Sequence, residues 1–378
     1  METTQEIPQV RRKRMSADAS LVRQLHMDGP LLSILAAVIA YGLFILYSAT
    51  GENWGQWLSQ VVRLALALVA MIGLAQIPPG WLRRASPILY GIGLVLLLLV
   101  AVHGSVSNGA QRWLDLKVFK FQPSEIMKLA VPMMCAWYLH ARPLPPSLRD
   151  IGIVLAIIVV PAALIAKQPD LGTALLVASS GILVLFLAGL SNAVISIGIA
   201  AFAAVIPIAW HFMHDYQKQR VMMFLDPSQD PLGAGYHSIQ SQIAIGSGGL
   251  FGKGWMHGSQ AQLEFLPERS TDFIFAVVGE ELGLLGQLLL IILYLVVIGR
   301  SLFLSSAAQT TYARLVCGGF ALTFFVYAFV NTGMVSGILP VVGVPLPLIS
   351  YGGTAMVTLL ASFGILMSLN GHRRLVGS

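Results

Sequence analysis

Charge is what this 378-residue chain has least of: Asp, Glu, Lys and Arg make up 11% of it, against 56% hydrophobic residues. An ordinary soluble domain, about 25% charged, is excluded by that ratio. Cysteine is nearly absent too. Cys135 and Cys317 both fall inside apolar runs without CxxC or Cys/His companions, so neither a disulfide framework nor a zinc site is expected, only small apolar packing. The histidines are scattered. His211 and His214 stand three apart near a helix end, but no carboxylate is placed to complete a metal set. No cleavable signal peptide is expected either, because residues 1–30 read as a polar, basic tail with no short apolar core and small-residue cleavage site. No solenoid-type repeat is visible.

What the chain does have is a recurrence of apolar segments, each of the roughly 20 residues a helix needs to cross hydrocarbon. They lie at 31–49, 57–76, 85–103, 124–141, 151–168, 172–189, 192–213, 272–299, 312–334 and 349–370. The expectation is an all-α integral membrane protein of about ten transmembrane helices. Its domains read as a basic tail (1–30), one polytopic unit (31–370) with a large extracytoplasmic loop at 214–271, and a short tail (371–378). With the N-terminus cytoplasmic, the inner side receives Arg11, Arg12, Lys13, Arg14, Arg23, Arg83, Arg84, Arg142, Arg149, Arg300, Arg314, Arg373 and Arg374, as the positive-inside rule requires. The first helix then serves as the export signal. These inner-face arginines explain most of the pI of about 9.4 and meet anionic lipid heads, so nucleic acid is not an expected partner.

The outward basic residues are Arg112, Lys117, Lys120 and Lys167, then Lys218, Arg220, Lys253 and Arg269, and they concentrate in two loops, 104–123 and 214–271. An anionic ligand is to be sought there. The second loop ends in the run from Glu264 to Phe275, which sets Glu264, Glu268, Arg269 and Asp272 at the entrance of an apolar helix. Ionisable groups at that depth are costly, which makes the run a site hypothesis as well as a boundary marker. Within the crossings, Glu125 and Lys128 lie three apart and share a helix face. They form either a structural ion pair or the border of a wet cavity opening outward. Arg63, Glu280 and Glu281 are weaker cases, equally open to packing or pairing.

Residues 246–254, rich in glycine, lack the preceding strand and spacing of a phosphate loop, so tight turns and close packing are favoured. Gly279, Gly283 and Gly286 share one face and suit close helix approach. Tyr236, Ile239 and Ile243 have helical spacing and suggest an interfacial helix. Residues 337–348 are apolar, yet Pro340, Pro345 and Pro347 forbid a regular helix. Such backbone needs protein or a cavity to cover it, so the segment is either a re-entrant wall for a lipid-bearing substrate or a tight outer turn.

Six ordered motifs then match a known pattern: Asn108 to Leu114; Gln122-Pro123-Ser124-Glu125 with Lys128; Gln168 to Thr173; Asp226-Pro227 through Gly233 and Tyr236; Pro267 to Phe273; and Asn331 through Pro340, Gly343 and Ser350 to Ala355. On these the chain resembles the SEDS family of peptidoglycan polymerases, its RodA branch more closely than its FtsW branch, over nearly everything after residue 31. The resemblance implies polymerisation of lipid II into β-1,4 glycan at the outer face of the bacterial inner membrane, both termini being cytoplasmic, during elongation and rod-shape maintenance. It further implies a class B penicillin-binding protein as transpeptidase partner within the elongation machinery, with lipid II and the growing glycan strand as substrates. Carried over by position, Asp272 corresponds to the essential carboxylate and Trp113, Glu125, Lys128 and Asp170 to cavity residues, while Gln217 or Gln219 corresponds to a loop glutamine.

The chemistry is intelligible. A prenyl pyrophosphate is a good leaving group and needs no acid, unlike the leaving groups of two-carboxylate hydrolases. One base suffices: Asp272, or else Glu268 or Glu264, takes the proton of the acceptor hydroxyl, a contribution of about 10²–10⁴ in rate. Arg112, Lys117, Lys128, Arg220 or Arg269 would stabilise the departing diphosphate. A divalent cation, Mg²⁺ or Mn²⁺, could share that task; no other cofactor is expected. Two other readings compete, a lipid II flippase or transporter and a noncatalytic scaffold for wall synthases. Against the first, no paired broken helices occur in matching halves of the chain; against the second, a scaffold has no use for the outward charge cluster.

Overall fold

The computed structural model describes residues 26–107, 110–115, 120–212, 218, 222, 236–263, 265–266 and 268–372. Its main elements are α1 (Gly29–Ala49), α2 (Trp54–Ala75), α3 (Pro79–His103), β1 (Ser105–Ser107), β2 (Ala110–Asp115), β3 (Lys120–Phe121), α4 (Pro123–Leu139), α5 (Leu148–Lys167), α6 (Leu171–Leu187), α7 (Asn192–Phe212), α8 (Tyr236–Gly248), α9 (Ser259–Gln262), α10 (Ile274–Ser306), α11 (Thr311–Val335) and α12 (Thr354–Gly371). Among the described residues, α1, α2, α3, α5, α10, α11 and α12 are long and apolar enough to cross a bilayer, and α6 and α7 contribute shorter apolar helices. The protein is a helical, multi-pass membrane protein.

Local chemistry sets the helix starts. Asp28, Asn53, Asp170 and Thr310 each accept a backbone N–H three residues ahead, capping α1, α2, α6 and α11. Ser147 and Asp150 form a reciprocal capping box at α5. Consecutive helices run up and down, so their ends gather in two layers. At one end Arg300 grips Asp28 through two hydrogen bonds of 3.0 and 2.7 Å, and His26 stacks on His372 with ring centroids 3.8 Å apart. The strands, α8, α9 and the starts of α4, α6, α10 and α12 lie at the other end.

The core is α11 and α12, surrounded by α2, α4, α6 and α10. Large side chains such as Leu66, Val69 and Ile92 point outward from α2 and α3, the arrangement expected where the outer solvent is lipid.

Three local differences from the sequence reading have physical causes. A small antiparallel sheet, in the order β1-β2-β3, adds strands to the all-α class and carries Arg112 and Trp113 on β2. The apolar segment expected from 349 becomes helical only at Thr354, because Ser350 and Tyr351 bond to the backbone of residues 270–271 instead. The segment expected at 272–299 runs on to Ser306 and is broken at Gly283, whose φ of 66° and ψ of −164° only glycine adopts without penalty. That break is where the glycine-rich stretch docks. A Cβ on Gly248 would lie 2.0 Å from the Gly279 carbonyl oxygen, and one on Gly252 2.1 Å from that of Glu281. Close packing, not ligand binding, accounts for these glycines. α8 also packs on protein: Ser241 Oγ donates to the Val335 carbonyl at 2.9 Å, and Ala244 is fully buried, while Ile243 stays exposed.

Candidate active site

Asp272 closes the turn that feeds α10, half-buried, one residue before the helix N-cap Phe273. Its surroundings come from distant parts of the chain. Asn331, a buried amide near the end of α11, donates to the Asp272 carbonyl at 2.8 Å and to the Val344 carbonyl at 2.7 Å. Ser350 Oγ donates to the Thr271 carbonyl at 2.5 Å, and Tyr351 N to the Ser270 carbonyl at 2.7 Å. The proline-bearing segment after α11 is therefore laced to the acid's own turn. Its exit, Leu346 to Ile349, is buried, with Tyr294 donating to the Pro347 carbonyl at 2.7 Å. A Cβ on Gly343, φ 74°, would sit 3.4 Å from Asp272 Oδ2, so the carboxylate faces that glycine.

α6 also approaches this strip: a Cβ on Gly172 would come within 2.7 Å of the Val342 carbonyl oxygen. There α6, α11 and the strip enclose an apolar groove of about 180 Å³, lined by Leu175, Leu176, Val326, Val330, Val342 and Val344 among others. The strip thus has an acid against Gly343 and an apolar groove against the valines on either side of it.

The second cluster lies at the starts of α4 and α6. Asp170 caps α6 by accepting from Thr173 N at 3.2 Å, accepts from Gln122 Nε2 at 3.0 Å, and pairs with Arg112 at 3.6 Å. Lys128 Nζ donates to Glu125 Oε1 at 2.7 Å, and Thr358 Oγ1 donates to Glu125 Oε2 at 2.8 Å. Lys128 also sits 5.4 Å above the Tyr327 ring, a cation–π contact. Both charges are about 7% exposed, so the pair is enclosed, and Glu125 already engages the ammonium. Tyr327 and Asn331 are four apart on α11, which puts the lysine's contact and the holder of Asp272 on one helix face.

Other candidates are placed elsewhere. Glu268 accepts from Thr271 Oγ1 at 2.6 Å, and with Arg269 it lines a polar cavity of about 520 Å³ against the α1–α2 turn. Trp113 is half-buried on β2. Lys117, Gln217, Gln219, Arg220 and Glu264 lie outside the described residues. A larger cavity of about 630 Å³, around His26, Arg83 and His372, is at the opposite end and shares no residue with this site. Among the described residues no three His, Cys, Asp or Glu side chains gather into a metal cage.

Sequence reasoning missed Gln60, which is fully buried and binds both the Ser350 carbonyl (3.3 Å) and Gly352 N (3.2 Å). It undervalued Arg63, whose guanidinium stacks 4.7 Å over Tyr351 beside Gly353. The available signal was a glutamine and an arginine three apart in an apolar crossing, where polar groups are rare without a purpose. Glu280 is resolved as an ion pair, accepting from Lys253 at 2.7 Å, and Glu281 as a partner of Ser48 at 2.5 Å.

Residues 29–375 match the family described as FTSW_RODA_SPOVE, cell cycle protein. The peptidoglycan glycosyltransferase MrdB of Escherichia coli (strain K12) is 56% identical over 354 residues, 93% of this chain and 96% of that protein. The probable peptidoglycan glycosyltransferase FtsW of Trichlorobacter lovleyi is 34% identical over 370 residues, 93% and 95% of the two chains. Of the solved structures, a chain described under "Structural coordination of polymerization and crosslinking by a peptidoglycan synthase complex" aligns with a TM-score of 0.81 at 33% identity, covering 91% of this chain and 97% of that one. The rod shape determining protein RodA of Thermus thermophilus aligns with a TM-score of 0.69 at 31% identity, covering 91% and 96%. The chain belongs to the SEDS family, the FtsW/RodA/SpoVE cell cycle proteins.

Proposed function

We propose that this protein is the peptidoglycan glycosyltransferase of cell elongation, polymerising lipid II into β-1,4 glycan at the outer face of the inner membrane with both termini cytoplasmic. Kinship with the glycosyltransferase MrdB supports the activity, and the RodA likeness supports the elongation role. One observation carries the mechanistic part: a half-buried carboxylate, Asp272, faces Gly343 on a strip whose neighbouring valines line an apolar groove. Asp272 takes the proton from the acceptor hydroxyl as the sugar oxygen attacks the anomeric carbon. The bond to the prenyl pyrophosphate breaks on the opposite face, which turns an α-linked donor into a β-linked product. A prenyl segment lies in the apolar groove. Arg112, half-exposed where Lys128 is enclosed, and Arg63 supply positive charge for the departing diphosphate.

The ten expected segments act as ten crossings, with 214–271 as the extracytoplasmic loop. A class B penicillin-binding protein is the partner, in keeping with the synthase complex whose chain aligns here. Mg²⁺ or Mn²⁺ remains an optional aid to diphosphate release and is assigned no residue.

Purified protein given labelled lipid II in detergent tests the reading. Wild type should make long glycan, and Asp272→Asn, which keeps size and removes basicity, should lose activity by about 10²–10⁴ while staying monodisperse. Equal polymer from both removes Asp272 from the chemistry. Translocation into vesicles without polymer would favour a flippase.

A further inference from the structure

We propose that the polar cavity at the α1–α2 turn is a saccharide subsite, which holds sugar units of the growing glycan and its acidic stem peptide beside the reacting linkage. The proposal rests on the polymerase reading above. The cavity, about 520 Å³, is lined by Thr50, Asn53, Gln56, Glu268, Arg269 and Ser270 among others. Side-chain amides, two hydroxyls, a carboxylate and a guanidinium suit sugar hydroxyls, acetamido groups and a peptide carboxylate. They offer little to a lipid tail.

Aromatic rings cluster at the same α1–α2 turn. Tyr47 packs edge-on to Trp54 and Trp57 (centroids 5.4 and 6.4 Å) and stacks with Trp255 at 6.0 Å. Trp57 and Trp255 tie their indole N–H groups to the Leu43 and Phe44 carbonyls, whereas Trp54 is 64% exposed. A fixed cluster thus presents one open indole on the residue that follows Asn53 of the cavity wall, and an indole with amides is the combination that takes the apolar face and polar edge of a pyranose. An aromatic belt that only anchors the helix at the lipid surface would account for the tryptophans. It would not account for the polar cavity or for its connection to the acid.

That connection is explicit. Gln56, Gln60 and Arg63 follow at i, i+4 and i+7 along one face of α2. The first lines the cavity, the second holds the backbone of Ser350 and Gly352, and the third stacks on Tyr351. Ser270, another wall of the cavity, accepts from Tyr351 N and lies two residues before Asp272. The polar cavity therefore shares Glu268, Arg269 and Ser270 with the acid's turn, while the apolar groove shares Val342 and Val344 with the strip that Asp272 faces, one suited to saccharide and the other to lipid.

The test uses lipid-free glycan fragments with stem peptides, released from sacculi by a muramidase, titrated by tryptophan fluorescence against the full chain in detergent. Wild type and Asp272→Asn should bind them alike. Gln56→Ala and Trp54→Leu should weaken binding at least tenfold, Gln56→Asn should fall between, and Gln56→Ala should yield shorter polymer from lipid II. Trp81→Leu removes an exposed tryptophan at the opposite end of the bundle and should leave binding intact. Unchanged binding in both Gln56→Ala and Trp54→Leu overturns the subsite, as does a wild type that polymerises lipid II yet binds no fragment. A wild type that binds fragments through Gln56 and Trp54 but makes no polymer keeps the subsite and overturns the polymerase reading instead.

Discussion

A lysine 7% exposed in a membrane helix survives only with a partner, and Glu125, 2.7 Å away, is that partner. Removing one member of such a pair strands the other, a loss on the order of 3–5 kcal/mol, whereas replacing both by apolar groups is often neutral. Lys128→Met is therefore expected to lower thermal stability in detergent sharply, and Lys128→Met with Glu125→Leu to recover most of it. Activity separates structure from chemistry. If the double variant regains both stability and polymer, the pair is a structural strut; if it regains stability without polymer, Lys128 or Glu125 serves the reaction. Asp272 differs from this pair in being half-buried and facing a glycine backbone, which leaves room for a sugar hydroxyl.

At the scale of elements, the break in α10 and the loop that fills it are one device. Gly252, φ 78°, and Gly283, φ 66°, bring two backbones together, and Lys253 bonds Glu280 across the contact. Lys253 and Gly254 N–H groups also donate to the Glu280 and Glu281 carbonyls at 2.9 and 3.0 Å, which satisfies carbonyls near the interruption. Gly252→Ala should cost about 2 kcal/mol or more, since left-handed backbone alone costs an alanine about 1–2 kcal/mol and its methyl would strike the Glu281 carbonyl. Gly246→Ala, inside α8 with open space around it, should be neutral or stabilising by up to about 1 kcal/mol. Thermal unfolding of the two variants in the same detergent checks the contrast. Equal effects would mean that the glycine-rich stretch is not docked on α10.

For the whole molecule, the arginine distribution sets an orientation that chemical labelling can read. With Cys135 and Cys317 replaced by Ala, a single cysteine at Glu268 should react with a membrane-impermeant maleimide in intact spheroplasts, and one at Arg149 only after lysis. The opposite pattern would invert the topology. The helices were legible because long apolar runs in a chain with so little charge have no alternative to spanning as helices. The broken α10 and the late start of α12 were not, since both depend on contacts with residues remote in sequence. Glu125 and Lys128 could be paired from their spacing, but that Thr358 and Tyr327 enclose them could not.

Composition and charge order alone determined that this chain is a polytopic membrane protein, and its ordered motifs determined its family. Those features are local or one-dimensional: hydrophobic length, arginine position, residue type at short spacing. Only the tertiary structure decided that Asn331 and Ser350 hold the turn of Asp272, that Arg112 joins Asp170, that a polar cavity borders the acid's turn, and that an apolar groove lies against the strip the acid faces. Cavities assembled from α1, α2, α6, α11, the turn before α10 and an irregular strip leave no periodic trace in any one of them. Contacts between segments hundreds of residues apart are set by packing, not by spacing.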